Sequence, residues 1–134
     1  MKVQASTRQR TQSDCPICYS LDVFGDRWTL LIIRDIVVEH KRHYGEFLTS
    51  GEGIASNILA DRLKSLVEGG LVTREDDPEN KSQALYHPTE KALALRPVLA
   101  AITAWGLTYG PDHLVALPGH RESAPSPVGS GSLP

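Results

Sequence analysis

The chain has little of what most functional classes require. It holds two Cys, one Met and two Trp among 134 residues, and only 6% of it is aromatic. Two cysteines three positions apart cannot staple a disulfide-rich fold. Without a His pair at zinc-finger spacing they cannot complete a zinc site either. The sequence shows no phosphate-cradling glycine loop, no paired-carboxylate motif and no nucleophile–base–orienter set, so neither an enzyme nor a resident cofactor or metal is expected. The formal charge is −2 and the pI about 6.2, which supplies no global field for nucleic acid. Residues 1–14 carry Lys2, Arg8 and Arg10 among Ser, Thr and Gln, without the apolar core of a signal peptide. No apolar run reaches the roughly eighteen residues of a membrane span. A cytoplasmic protein without a membrane partner is expected.

One domain of about a hundred ordered residues fits this length. Residues 1–14 read as a flexible N-terminal arm, 15–109 as the domain, and 110–134, rich in Pro, Gly and Ser, as a disordered tail. Pro16 to Val23 reads as a short helix closed by Phe24-Gly25. Asp26 caps a helix to Val38 that is apolar on nearly every side, with Trp28 in the core, and so belongs at the centre. Arg34-Asp35 interrupts that run and marks a solvent or subunit edge. A basic turn, His40 to His43, precedes a short helix from Tyr44 to Thr49.

The most informative stretch runs from Glu52 to Gly70. On a 3.6-residue period Leu59, Leu63 and Leu66 share one side, while Asn57, Asp61, Lys64 and Glu68 take the opposite side with Ala60 at its edge. A glycine pair stops this helix. Leu71 to Glu75 then reads as a strand, Asp76 to Gln83 as a polar turn and Ala84 to His87 as a second strand, before Pro88 and a new helix from Thr89-Glu90. Helix, strand, turn, strand, helix is the order of a winged helix. The fold class is therefore mainly α with a small β-hairpin, a winged helix-turn-helix. The hairpin must pack on helices to persist, because two strands alone are marginal in water.

The segments CPICYSLDVFGDRWTLLIIRDI, HYGEF and EGIASNILADRLKSLVEGGLVTRE, followed by a late Trp105, resemble the HxlR-type winged-helix transcriptional regulators of bacteria, which share the MarR-like fold. The likeness spans Cys15 to about Gly106. Two departures touch helix starts: Ala55 stands where the family usually has Ser or Thr, and Pro88-Thr89-Glu90-Lys91-Ala92 replaces a Leu-Thr-Glu-x-Gly pattern. The resemblance implies a homodimeric, DNA-binding transcriptional regulator, a repressor, with additional N- and C-terminal dimerisation helices. Asn57, Ala60, Asp61 and Lys64 would face the major groove of an inverted-repeat operator, with Ser56 and Arg62 near phosphate. Asn suits adenine and Asp accepts from cytosine N4. For Arg62 an internal ion pair is the competing expectation. Arg42 in the basic turn and Lys81 in the wing add phosphate contacts.

From Lys91 onward, Leu95, Val98, Leu99, Ile102 and Trp105 recur at spacings of three and four, a stripe suited to association. Pro97 forces a break or a new helix start near Arg96. Cys15 sits at a helix start, where amides and dipole favour a thiolate. The resemblance implies that a Cys here can serve as a thiol switch for oxidants, quinones or aldehydes. Cys18 is expected to be more buried, and a Cys15–Cys18 disulfide would be strained inside a regular helix. Two other readings stay open: a winged-helix protein-interaction module without DNA binding, favoured by the acidic wing, and a regulator switched by a small aromatic ligand between the dimerisation helices and the core.

Overall fold

The computed structural model describes residues 14–116. The expected arm up to residue 13, with Arg8 and Arg10, and the tail from 117 lie outside the described residues. In chain order the elements are α1 (Pro16–Phe24), α2 (Arg27–Val37), α3 (Tyr44–Leu48), α4 (Ser56–Glu68), β1 (Val72–Asp77), β2 (Asn80–Pro88), α5 (Glu90–Leu93) and α6 (Arg96–Tyr109).

Local chemistry sets most boundaries. The Asp26 carboxylate accepts the Thr29 amide at 3.0 Å and starts α2. Helix α4 ends in a Schellman motif: the Leu71 amide reaches the Leu66 carbonyl at 3.0 Å and the Gly70 amide that of Val67 at 3.1 Å. Gly70 takes φ +80°, a backbone state that a side chain would disfavour. Thr89 caps α5, its side chain accepting from the Ala92 amide. Pro97 lies in the first turn of α6, so the chain restarts there instead of kinking.

The core is the inner face of α2 closed by α4. Ile32, Ile33, Ile36 and Val37 meet Leu59, Leu63 and Leu66, with Phe47 of α3 and Leu71 and Val72 at the base of the wing. Truncating any one of these large side chains costs about 2–5 kcal/mol. Trp28 is half-buried and packs against this cluster.

The hairpin is antiparallel, pairing Val72 with Pro88 and Asp77 with Asn80, with an irregularity between Asp76 and Asp77. Its turn is shorter than the expected Asp76–Gln83 loop. The pairing runs on to Asp77, whose carboxylate accepts the Glu79 amide at 2.9 Å. Packing on the helices is achieved by Tyr86, buried and edge-on to Phe47 with ring centres 6.3 Å apart. The Tyr86 amide also donates to the Arg42 carbonyl at 2.9 Å.

Two expectations need correction. The stretch Glu90–Tyr109 is long and apolar enough, by length and composition, to cross a membrane. In the structure it is two helices, with Ala92 and Leu99 in the core. Asp35 is no solvent edge: it is 3% exposed. Ser50 Oγ donates to it at 2.6 Å, Arg34 pairs with it at 2.7 Å and Lys41 Nζ lies at 3.5 Å. A buried carboxylate needs such partners.

Candidate nucleic-acid interface

The helix-turn-helix unit is α3, the 49–55 turn and α4. Gly53, at φ +72°, makes the turn. Two contacts fix how α4 leaves it. Tyr44 Oη donates to the Ser56 carbonyl at 2.7 Å. Arg34 grips Glu52 with two bonds of 2.9 Å, which holds that carboxyl down at about 2. Neither contact is visible in periodicity, since each links residues far apart in the chain.

Helix α4 buries Leu59, Leu63 and Leu66 and turns Ser56, Asn57, Ala60, Asp61 and Lys64 to solvent. The small Ser56 and Ala60 near its start leave room for close approach to another surface. Ala55 occupies the N-cap and makes no side-chain cap bond, so the first amides of α4 have no capping side-chain oxygen. Such amides suit a phosphate oxygen.

Arg62 takes its internal alternative. Its Nε donates to Asp26 Oδ2 at 2.9 Å and its Nη1 to Asp61 at 2.8 Å. The guanidinium draws the Asp26 carboxyl down to about 2. Arg42, expected at phosphate, instead turns Nη1 to the carbonyls of Ile36 and Lys41 at 3.0 and 2.8 Å. Carbonyls at a helix end lack intrahelical donors, and a long cation nearby satisfies them. Lys81 is exposed on the wing. On the wing, His43 Nε2 lies 3.0 Å from Asp77 and His87 Nε2 lies 2.9 Å from Glu75. Asp77 raises the pKa of His43 above its ordinary value.

The apolar stripe of the last helix divides. Leu99 is 6% exposed and belongs to this chain's own core, and Leu95 packs against it. That leaves Leu99 little surface for a partner. Val98 is half-buried. Ile102, Trp105 and Tyr109 are exposed, Trp105 at 68%. Ile17, Tyr19 and Leu21 of α1 are exposed as well. Cys15 and Cys18 are both half-buried thiols. The amides of Cys18 and Ile17 and the Cys18 thiol hold the Cys15 thiol below its usual range. A cavity lined by Trp28, Leu31, Asp35, Phe47, Ser50 and Glu52 measures about 10 Å³. That is room for one water and not for an aromatic ring.

A family model described as HxlR-like helix-turn-helix matches residues 23–114. The chain belongs to the HxlR family. Its relatives are transcriptional regulators, and this HxlR-family chain is one too. The HTH-type transcriptional regulator YodB of Bacillus subtilis is 33% identical over 92 residues, which cover 68% of this chain and 81% of YodB. A solved YodB structure with bound quinone is similar at TM-score 0.57 and 29% identity, over 71% of this chain and 100% of that one. PA1607, proposed as a transcription factor, is similar at TM-score 0.70 and 43% identity, over 78% and 73% of the two chains. HypR, a redox regulator solved in its oxidised form, is similar at TM-score 0.64 and 26% identity, over 72% and 99%. The winged-helix, MarR-like architecture of the HxlR-family chain is thereby shown.

Proposed function

We propose that this HxlR-family regulator binds an inverted-repeat operator as a homodimer, represses transcription there, and responds to thiol-reactive compounds through Cys15. The observation that carries the reading is the solvent-facing set Asn57, Ala60, Asp61 and Lys64 on a helix whose opposite face is locked into the core. A rigid helix with a small-residue start fits the major groove, where residues of its first turns reach base edges. Asn57 reads a base, Lys64 neutralises phosphate, and the uncapped start at Ala55-Ser56 takes a phosphate oxygen. Arg62 serves as a positioning residue through Asp26, and Arg42 through the end of α2. Lys81 reaches phosphate from the wing.

Dimerisation is supported by the exposed apolar side chains at both ends of the domain, Ile17, Tyr19 and Leu21 on α1 and Ile102, Trp105 and Tyr109 on α6. A homodimer joined through them would read two half-sites about one DNA turn, ~34–36 Å, apart. The thiol response draws support from HypR, a redox regulator, and from quinone-bound YodB. The acidic wing residues Glu75, Asp76 and Glu79 favour the second reading, a protein-interaction module.

Genome-wide mapping of bound DNA, with and without diamide, separates these readings. Discrete sites carrying a shared inverted repeat, vacated under diamide, support the proposal. Absence of enriched sites under both conditions favours the interaction module.

A further inference from the structure

The cysteine pair opens a chemistry that a single sensing thiol does not. Inside a helix, side chains three apart have Cβ atoms about 5–6 Å apart, whereas a disulfide spans about 3.5–4.5 Å. That mismatch is why a Cys-x-x-Cys ring is strained in regular helix. Cys15, however, is not in the helix. It is the N-cap of α1, extended at φ −77° and ψ 121°, and Cys18 is the third helical residue. The N-cap conformation is the one that folds a side chain back over the amides two and three residues on. Those amides belong to Ile17 and Cys18; Cys15 makes no side-chain cap bond in this state, and these amides and the Cys18 thiol hold the Cys15 thiol below its usual range. Pro16 follows in the first turn with its φ already set. Helix α1 has no fully buried residue, so closing its first turn displaces nothing in the core. These are the only two cysteines of the chain.

We propose that Cys15 and Cys18 are a dithiol that closes to an intrachain disulfide when attacked by a low-molecular-weight disulfide. The oxidised product is then a ring at the head of α1 instead of a link between subunits. This deepens the thiol-responsive reading of Cys15 and rests on it. The Cys15 thiolate attacks one sulfur of the small disulfide RS–SR, whose S–S bond breaks and releases RS⁻, which takes up a proton. Cys18 gives its proton to water, and its sulfur attacks the Cys15 sulfur of the mixed disulfide, expelling the second RS⁻. Two protein thiols lose two electrons and two protons, and RS–SR gains them as two RSH. The amides at the helix start lower the Cys15 thiol, which makes Cys15 the attacking sulfur.

The test treats the full chain with oxidised glutathione, blocks remaining thiols by alkylation and digests with trypsin. Residues 11–27, between Arg10 and Arg27, hold both cysteines on one peptide. In the wild type this peptide should lose two hydrogens and retain neither glutathione nor alkyl groups, while the chain runs as a monomer on a non-reducing denaturing gel. Cys18→Ser should instead keep one glutathione on Cys15. A wild type that holds glutathione as stably as Cys18→Ser, or that becomes mainly a chain-to-chain disulfide, overturns the pairing. Operator binding by the oxidised wild type is measured alongside. A ring that forms without changing operator affinity upholds the pairing and removes the thiol-responsive reading. Lost affinity that reduction restores supports both.

Discussion

Asp26 joins two functions that substitution can separate. Its carboxylate caps α2 through the Thr29 amide at 3.0 Å, and it ties α2 to α4 through Arg62 Nε at 2.9 Å and Nη2 at 3.3 Å. A lost N-cap costs about 1 kcal/mol. The ion pair is partly open to solvent, with its side chains 26% and 32% exposed, so screening limits it to about 1 kcal/mol or less. Asp26→Ala removes both and should cost about 2 kcal/mol, a fall of about 1–2 M in urea midpoint at an m of about 1–2 kcal/mol/M. Asp26→Asn keeps the cap, since Asn and Asp cap equally well, and should cost about half as much. The pH dependence gives a second reading of the same pair. The Asp26 carboxyl is lowered from 3.8 to about 2, so its contribution is present above about 3.8 and lost as pH falls through about 2. The wild type should therefore lose stability over that acid window more steeply than Asp26→Asn. Urea unfolding of both variants, followed by circular dichroism between neutral pH and pH 2, measures all of this. If Asp26→Asn falls as far as Asp26→Ala, the division into cap and ion pair is refuted.

Two further outcomes follow from the geometry. Trp105→Ala should leave the monomer fold within about 0.5 kcal/mol, because the side chain is exposed, yet weaken self-association by about 2 kcal/mol or more as a buried aromatic anchor; sedimentation against concentration decides, and an unchanged dimer places Trp105 outside the interface. His43 should titrate above its ordinary 6.5, because Asp77 raises it, so the wing tether is intact below about pH 6.5 and weakens as pH rises through the folded value. Imidazole NMR shifts report it, and Asp77→Asn should return the value toward 6.5; a His43 that titrates identically in both proteins contradicts the tether.

Much of the fold was legible because its boundaries rest on strong local chemistry. Asp26, Gly69-Gly70 and Pro97 each act through their own backbone neighbours, and the helices next to them begin or end within about a residue of the expected positions. The wing was legible in kind but not in length. Asp, Pro and Asn announce a turn, whereas the number of residues that pair beyond it depends on the partner strand, here out to Asp77 and Asn80. Long cations were the least legible. Arg42 and Lys41 sit in a basic turn, yet one closes the end of α2 and the other reaches Ser50 at 2.8 Å beside the buried Asp35. Periodicity assigns a face to a Cα, while a flexible cation goes where an unsatisfied acceptor is. The same reasoning separates Leu99 from Trp105, two members of one stripe that the end of the core divides.

The central claim is that the exposed face of α4 reads base edges. The most direct measurement is fluorescence anisotropy of wild type and Asn57→Ala on an inverted repeat recovered by the genome-wide mapping and on a scrambled duplex, at a fixed modest salt concentration. Wild type should prefer the repeat, and Asn57→Ala should lose about 1–3 kcal/mol on the repeat while its weaker binding to scrambled DNA stays unchanged. Equal losses on both duplexes would make Asn57 a backbone contact, and a wild type that binds both duplexes alike would contradict sequence reading by this helix.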